Sequence, residues 1–434
     1  MNALITDAAE SRNRQARALA IAEMEKLTVD PTGLTVYRSG GRIALIGDSL
    51  AMEIATRFQG ILQPLVILTA GAEEPGVEVI PLGERRLSLR GHLGAFELQL
   101  GDAGKPNHET VSVDLVLDLN PQPLLDSPLP PPGYVHSATG ESELEEAVET
   151  LAGLKGTFEK PTYFAYDASI CAHGRSGIQA CNRCVDACPA GAITSLAESI
   201  EVDPYLCQGG GVCSTVCPSG AIRYAYPKPA DSLSRLRVLL QVYRREGGQA
   251  PVVACLTGAV ADSLEDLPGN FLPFVVEELA SVGLEIWLAA LAYGADTLLL
   301  VNDGSEPEQV LKALVDQVST TGEILSALGY LVDTVRLMHR EALPDATLKR
   351  MPAIRPAGFS GLGGKRQTAF LAIDHLFEQS PHPKPLTSLS VGAPFGAAFV
   401  ESSACTLCFS CVGACPGKAL QAGEGEPCLL YTSP

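Results

Sequence analysis

The sequence predicts a mixed α/β plus α+β chain, in which two α/β domains alternate with two cysteine-rich segments. Three observations lead there. Apolar strand-like runs alternate with helical patterns in two separate stretches, as they do when a parallel sheet is covered by helices. Eleven of the 13 cysteines fall at Cys171–Cys217 and Cys405–Cys415. Proline-rich runs at Pro121–Gly133 and around Pro381–Pro385 separate these regions. The 434 residues allow two to four domains, and 46% hydrophobic with 19% charged residues is a globular composition. A formal charge of −19 repels phosphate, which argues against a nucleic-acid partner or an anionic lipid surface. No membrane span is expected either, because the most apolar stretch, Leu284–Val301, is interrupted by Glu285, Gly294 and Asp296. Met1–Gln15 has no apolar signal-peptide core, so the expected location is cytoplasmic. Thiols stay reduced there, and 13 cysteines then point to metal rather than disulfides.

The first α/β domain is expected over residues 1–130. Arg42–Ile46 reads as a buried strand, Gly47-Asp48-Ser49-Leu50 as a turn into a helix reaching about Phe58, and Leu65–Thr69 as the next strand. This is a βαβ, Rossmann-like order. Further strands are expected at Ala95–Leu100 and Val111–Leu117, and a helix over Ser142–Leu154 leads toward the cysteines. Gly47 stands without the other glycines of a dinucleotide cradle, which argues against a nicotinamide or flavin site there. The string around Ser49 resembles the nucleophile block of an esterase family, but no histidine has the aspartate three residues before it that this family needs. Ser49 is instead expected to be the helix N-cap.

The late cysteine segment, C-T-L-C-F-S-C-V-G-A-C-P, places Cys405, Cys408, Cys411 and Cys415 at C-x2-C-x2-C-x3-C-P, the spacing of cubane iron–sulfur ligation. A cubane needs one thiolate on each of four irons. A tight loop with a cysteine at every third position surrounds three of them, and the cysteine before proline turns toward a neighbouring cluster. Zinc is the competitor, but structural zinc sites usually separate two C-x2-C pairs widely. The middle segment holds the unit twice: Cys188-Pro-Ala-Gly-Ala-Ile193 is matched by Cys217-Pro-Ser-Gly-Ala-Ile222. Its first copy runs C-x9-C-x2-C-x3-C-P through Cys171, Cys181, Cys184 and Cys188, with Ala172–Ala180 inserted. Its second copy, Cys207, Cys213 and Cys217, has Gly210 where a cysteine belongs.

This repeat resembles the two-cluster bacterial ferredoxin fold over about Tyr166–Pro227, within a module expected at 160–228. The stretch Cys171-Ala-His173-Gly-Arg175 ahead of C-x2-C-x3-C resembles a bacterial family of multi-cluster ferredoxin-type proteins often encoded beside molybdenum-dependent formate dehydrogenases. The crossing implied by the ferredoxin resemblance gives Cys171, Cys181, Cys184 and Cys217 to one [4Fe-4S] cluster. Cys207, Cys213 and Cys188 go to the other, with Gly210 at its open corner. Three thiolates favour a [3Fe-4S] cluster there; a [4Fe-4S] cluster with water or another side chain on the odd iron, or loss of the site, are the alternatives. His173 is either a ligand or, as such histidines more often are, a packed hydrogen-bonding group.

Downstream, residues 231–345 form the second expected α/β domain. Helices are expected at Asp231–Arg245, Gly283–Tyr293 and Glu306–Leu328, and strands at Val252–Ala254, Leu272–Val276, Thr297–Val301 and Thr334–Met338. The region is loosely similar to the small iron–sulfur subunits of hydrogenase and heterodisulfide reductase systems, whose cysteines it lacks. Cys255 is expected to be a buried small residue. A helix over Gln367–Phe377 precedes the terminal segment, 386–434, a partial ferredoxin-like motif. Its Cys405, Cys408 and Cys411 need a fourth thiolate, so the chain is expected to continue with another cysteine loop. Pro427–Pro434 resembles translated sequencing adaptor, and Cys428 completes the cluster only if that tail is native.

Three functions are compatible with this reading. The chain is expected to be a soluble carrier relaying single electrons through [4Fe-4S] and [3Fe-4S] clusters between a dehydrogenase and another acceptor. The alternatives are an oxidoreductase subunit with a flavin or substrate site, or an accessory factor for a formate dehydrogenase.

Overall fold

The computed structural model describes residues 7–431 apart from 72–75, 103–104, 106–107, 138–139, 176–177, 262–266, 345, 347, 349–350, 362, 381, 385, 397–399, 416–419 and 424–428. Its N-terminal domain is a five-stranded parallel sheet in the order Glu78–Pro81, Gln63–Leu68, Arg42–Gly47, Leu115–Asp118, Tyr134–His136. The central strand is apolar throughout because both its faces are covered, and alternate residues serve different cores. Ile43 and Leu45 pack with Met52, Ile54 and Phe58 of the crossover helix Ser49–Phe58. Ala44 and Ile46 meet Phe96, Leu98 and Leu100 from a three-stranded antiparallel sheet, Leu87–Arg90, Phe96–Leu100 and Glu109–Val113. The domain is thus mixed α/β with a parallel sheet, and a second sheet in place of helices covers its other face.

Three local expectations change. The single strand expected at Val111–Leu117 is two strands in different sheets. The chain switches between them at Asp114, whose carboxylate accepts from the Arg42 N–H at 2.8 Å. The N-cap of the crossover helix is Asp48, accepting from Leu50 N at 3.0 Å, and Ser49 is its first residue. The domain also continues past the boundary drawn at residue 130. Tyr134–His136 joins its sheet, helix Glu141–Ala152 places Ala147, Val148 and Leu151 in its core, and Gly156–Pro161 pairs antiparallel with Leu34–Ser39.

The second domain is a four-stranded parallel sheet in the order Phe271–Val275, Val252–Leu256, Thr297–Asn302, Val335–His339. Helix Leu284–Ala292 is buried at all nine residues, Trp287 completely. Such an all-round apolar helix needs neighbours on every side. Helices Pro229–Arg245, Glu308–Ala327 and Lys365–Gln379 supply them. Cys255 is fully buried on the central strand Val252–Leu256, and burial alone pushes its thiol up to about 12. Two elements outside the expected 231–345 complete this domain. Helix Lys365–Gln379 is one; the other is the first helix, Asp7–Met24, which lies on Pro229–Arg245 with Ala16, Ala20 and Met24 in the common core. Asn13 of that helix accepts from Gln249 N at 2.9 Å. Among the described residues, no helix is long and apolar enough to cross a membrane.

Candidate metal centre

The middle cysteines lie in a small module between the two domains, built from two similar halves. Each half has a loop, a five-residue helix (Arg183–Ala187 or Val212–Val216) and then a C-P turn into a strand. Strand Phe164–Tyr166 pairs with Ile222–Tyr224, and Ile193–Ser195 with Ile200–Val202, so each half is closed by a short antiparallel pair. Ile193, Ile200, Ala221 and Ile222 form the core with Cys184 and Cys217.

Cys171, Cys181, Cys184 and Cys217 line one small cavity, together with Tyr166, His173, Ile200 and Ile222. Cys171 reaches it because the inserted segment folds back as a two-residue antiparallel pair, Gly174–Arg175 with Ile178–Gln179. His173 fastens that hairpin. It is 1% exposed, its Nδ1 lies 2.7 Å from the Cys181 carbonyl and its Nε2 2.8 Å from Ser195 Oγ, and its own carbonyl accepts from Ala180 N at 2.7 Å. Both ring nitrogens are occupied by protein, which is the packing role and not the ligand role.

Cys188, Cys207 and Cys213 line a second small cavity with Phe164, Val202 and Gly209, Gly210 and Gly211. Cys188 of the first motif thus joins the second motif's cysteines, and Cys217 of the second joins the first motif's. The three glycines differ in what they permit. A Cβ on Gly209 (φ +83°) would lie 2.8 Å from the Tyr163 ring, and on Gly211 (φ +73°) 2.5 Å from the Ser281 backbone. A Cβ on Gly210 would meet nothing within 4 Å. The corner where the motif lacks its cysteine has room for one.

Burial dominates the electrostatics of Cys184, Cys207 and Cys213. It pushes Cys184 up to about 12, with the charges of Cys217, Cys181 and Cys171 adding to it, and pushes Cys213 well up beside Cys207, Cys188 and Cys184. Cys207 is raised by burial and eased by the Gly209 N–H and by Lys160. Several thiolates gathered in a desolvated pocket require compensating positive charge, which iron supplies when bound. Among the described residues no three His, Cys, Asp or Glu side chains converge as one metal ion would require. Four thiols lining one cavity suit a group that offers each its own iron.

The terminal cysteines have different surroundings. Cys408 and Cys411 are exposed and Cys405 and Cys415 half-buried, around the short helix Ser410–Ala414. Hydrogen bonding to Ser410 holds the Cys408 thiol below its ordinary value. Strand Leu420–Ala422 pairs with Leu429–Tyr431. Cys428 lies outside the described residues.

Several contacts to the module were not read from the sequence. Lys160 Nζ donates to the Cys207 carbonyl at 2.6 Å. Lys365 Nζ donates to the Ser214 and Thr215 carbonyls, both at 2.7 Å, and Arg366 to the carbonyls of Pro218 at 3.2 Å and Pro394 at 3.1 Å. One signal for the last pair exists. Lys365 and Arg366 open a helix that has no acidic residue in its first turn, against the preference set by the helix dipole, so their charge is used elsewhere.

Residues 179–221 match a family model described as a 4Fe-4S dicluster domain. The match takes in six of the seven middle cysteines and begins beyond Cys171 and most of the insertion. No curated protein matches the chain. The chain therefore carries a ferredoxin-type 4Fe-4S domain within a mixed α/β protein, with [4Fe-4S] clusters as the cofactor class that this domain supports.

Proposed function

We propose that this ferredoxin-type domain makes the chain an electron carrier, relaying single electrons between a dehydrogenase and another acceptor in the cytoplasm. The observation that carries the reading is the pair of cysteine-lined cavities packed back to back. Cys184 of one and Cys213 of the other lie close enough for their charges to interact, and both cavities border one small apolar core. In this reading Cys171, Cys181, Cys184 and Cys217 hold one cluster, and Cys188, Cys207 and Cys213 hold a [3Fe-4S] cluster beside Gly210. Cys405, Cys408, Cys411 and Cys415 serve a further cluster on the exposed terminal loop. One electron enters and one leaves, no covalent bond is made or broken, and the chain's own residues do no proton chemistry. The dehydrogenase partner, including a formate dehydrogenase, rests on the family resemblance.

A second reading, an oxidoreductase subunit, has one observation in its favour. A cavity of about 300 Å³ lies between strand Ile222–Tyr224 and the start of helix Lys365–Gln379, and Ile222 borders both it and the first cysteine cavity. Anaerobically prepared protein separates the readings. Iron and sulfide counts with electron paramagnetic resonance, before and after reduction, should show reversible one-electron reduction and no bound flavin. Flavin absorbance would favour the oxidoreductase, and transfer of intact clusters to an apo-acceptor would favour the accessory factor.

A further inference from the structure

Cys207, which lines the second cysteine cavity, is tied to the N-terminal domain through a cluster of aromatic rings around one lysine. Lys160 projects from strand Gly156–Pro161, next to its antiparallel partner Leu34–Ser39, which carries Tyr37. Its Nζ donates to the carbonyls of Cys207 at 2.6 Å and Tyr205 at 3.2 Å, and lies 4.8 Å from the centre of the Tyr37 ring. The Tyr37 hydroxyl donates to the same Tyr205 carbonyl at 2.6 Å, and His92 stacks on the Tyr205 ring at 4.3 Å. The ammonium is thus held in place by two carbonyls and a ring face. Among the described residues it makes no ion pair. The acidic groups acting on it are the Cys207 thiol and Asp203, whose carboxylate accepts from Tyr205 N at 2.8 Å.

We infer that Lys160 tunes the second cluster, its fixed positive charge at the Cys207 corner raising that cluster's reduction potential. The inference rests on the reading of Cys188, Cys207 and Cys213 as ligands. Reduction adds one negative charge to the iron–sulfur core, and a neighbouring cation in a partly desolvated site stabilises the reduced form over the oxidised one. Asp203 acts in the opposite sense. The N-terminal domain, which has no cysteine of its own, therefore takes part in electron transfer by setting a charge.

The test is a redox titration of the anaerobic full-length holoprotein, followed by electron paramagnetic resonance, for wild type, Lys160→Gln, Lys160→Arg and Asp203→Asn. At the potential where the wild-type second cluster is half reduced, Lys160→Gln should lower the reduced-to-oxidised ratio on the order of tenfold. Lys160→Arg should leave it nearly unchanged, and Asp203→Asn should raise it. Should Lys160→Gln lose iron, the arginine and asparagine variants decide: the inference needs the second to shift upward and the first to hold. A full iron and sulfide complement with an unmoved potential overturns the inference alone. Wild-type protein with iron for only the first cluster among the middle cysteines overturns the ligand assignment and the inference with it.

Discussion

The middle module and the terminal loop share the same cysteine grammar and differ in what surrounds it. In the middle, two domains enclose the cysteines: Cys184 and Cys217 are buried, and Lys160, Lys365 and Arg366 reach in from both sides to hold loop carbonyls. At the end of the chain Cys408 and Cys411 face solvent, and the neighbouring groups are a serine and a short hairpin. Spacing thus selects the chemistry, while the flanking domains decide how far the thiols are desolvated and which charges they feel. An enclosed site is suited to a defined potential and an exposed one to exchange with a partner.

The sharpest way to break this comparison is to remove one ligand from each region. Cys217→Ser should empty the first cavity and destabilise the module by about 4 kcal/mol or more, since a cluster ligand in a packed core is also a structural cross-link. Cys408→Ser should cost only terminal iron. Thermal unfolding and iron counts on both variants check this, and equal destabilisation would erase the distinction. Glycine substitutions test enclosure next. Gly211→Ala places a Cβ against the Ser281 backbone at positive φ and should cost about 2 kcal/mol or more, whereas Gly210→Cys should fold normally and, if the proposed three-thiolate site holds a [3Fe-4S] cluster, convert its signal to that of a [4Fe-4S] cluster. Loss of His173 comes third. His173→Ala should cost about 2 kcal/mol through two missing hydrogen bonds and should make the Cys171 corner labile, seen as faster iron release to a chelator while terminal iron is unaffected.

The smallest effect concerns thiol reactivity in iron-free protein. Ser410 lowers the Cys408 pKa, so its thiolate appears at lower pH than an ordinary cysteine's, and iodoacetamide should label it first as pH rises toward 8. Cys184, pushed up to about 12, stays protonated across that range and should be labelled only on unfolding. Ser410→Ala should slow Cys408 labelling, as mass spectrometry of peptides would report.

What was legible in the sequence follows the range of the forces involved. Cysteine spacing is local, and it made the cysteine loops visible; the exchange of Cys188 and Cys217 between the two middle loops was implied only by the ferredoxin resemblance. The parallel strands were legible because strands covered on both faces read as unbroken apolar runs, as Arg42–Gly47 and Thr297–Asn302 do. Cap choice was a contest between adjacent good candidates, Asp48 and Ser49, which spacing alone does not decide. Helix Asp7–Met24 gave no signal of its docking site because its buried face is built largely from small residues, Ala16 and Ala20. The 134–161 extension was hidden by a proline run that looks like a linker and is instead tied back, with Gln208 donating to the Pro130 carbonyl at 2.7 Å. The cations around the cysteines were illegible for a related reason: Lys160 and Arg366 earn their positions from carbonyls distant in sequence.

The docking of helix Asp7–Met24 on Pro229–Arg245 has a consequence for biosynthesis. The helix leaves the ribosome before its partner, which begins 205 residues after it ends. At typical elongation rates of about 5 to 20 residues per second, roughly 10 to 40 s pass before the partner's first residue is even made. Throughout that interval the helix's alanine face is uncovered, while the complete middle cysteine module emerges ahead of the domain that will cover it. Those thiols are at their most accessible during synthesis, before the second domain packs against the module through contacts such as that of Lys365 with the Ser214 and Thr215 carbonyls.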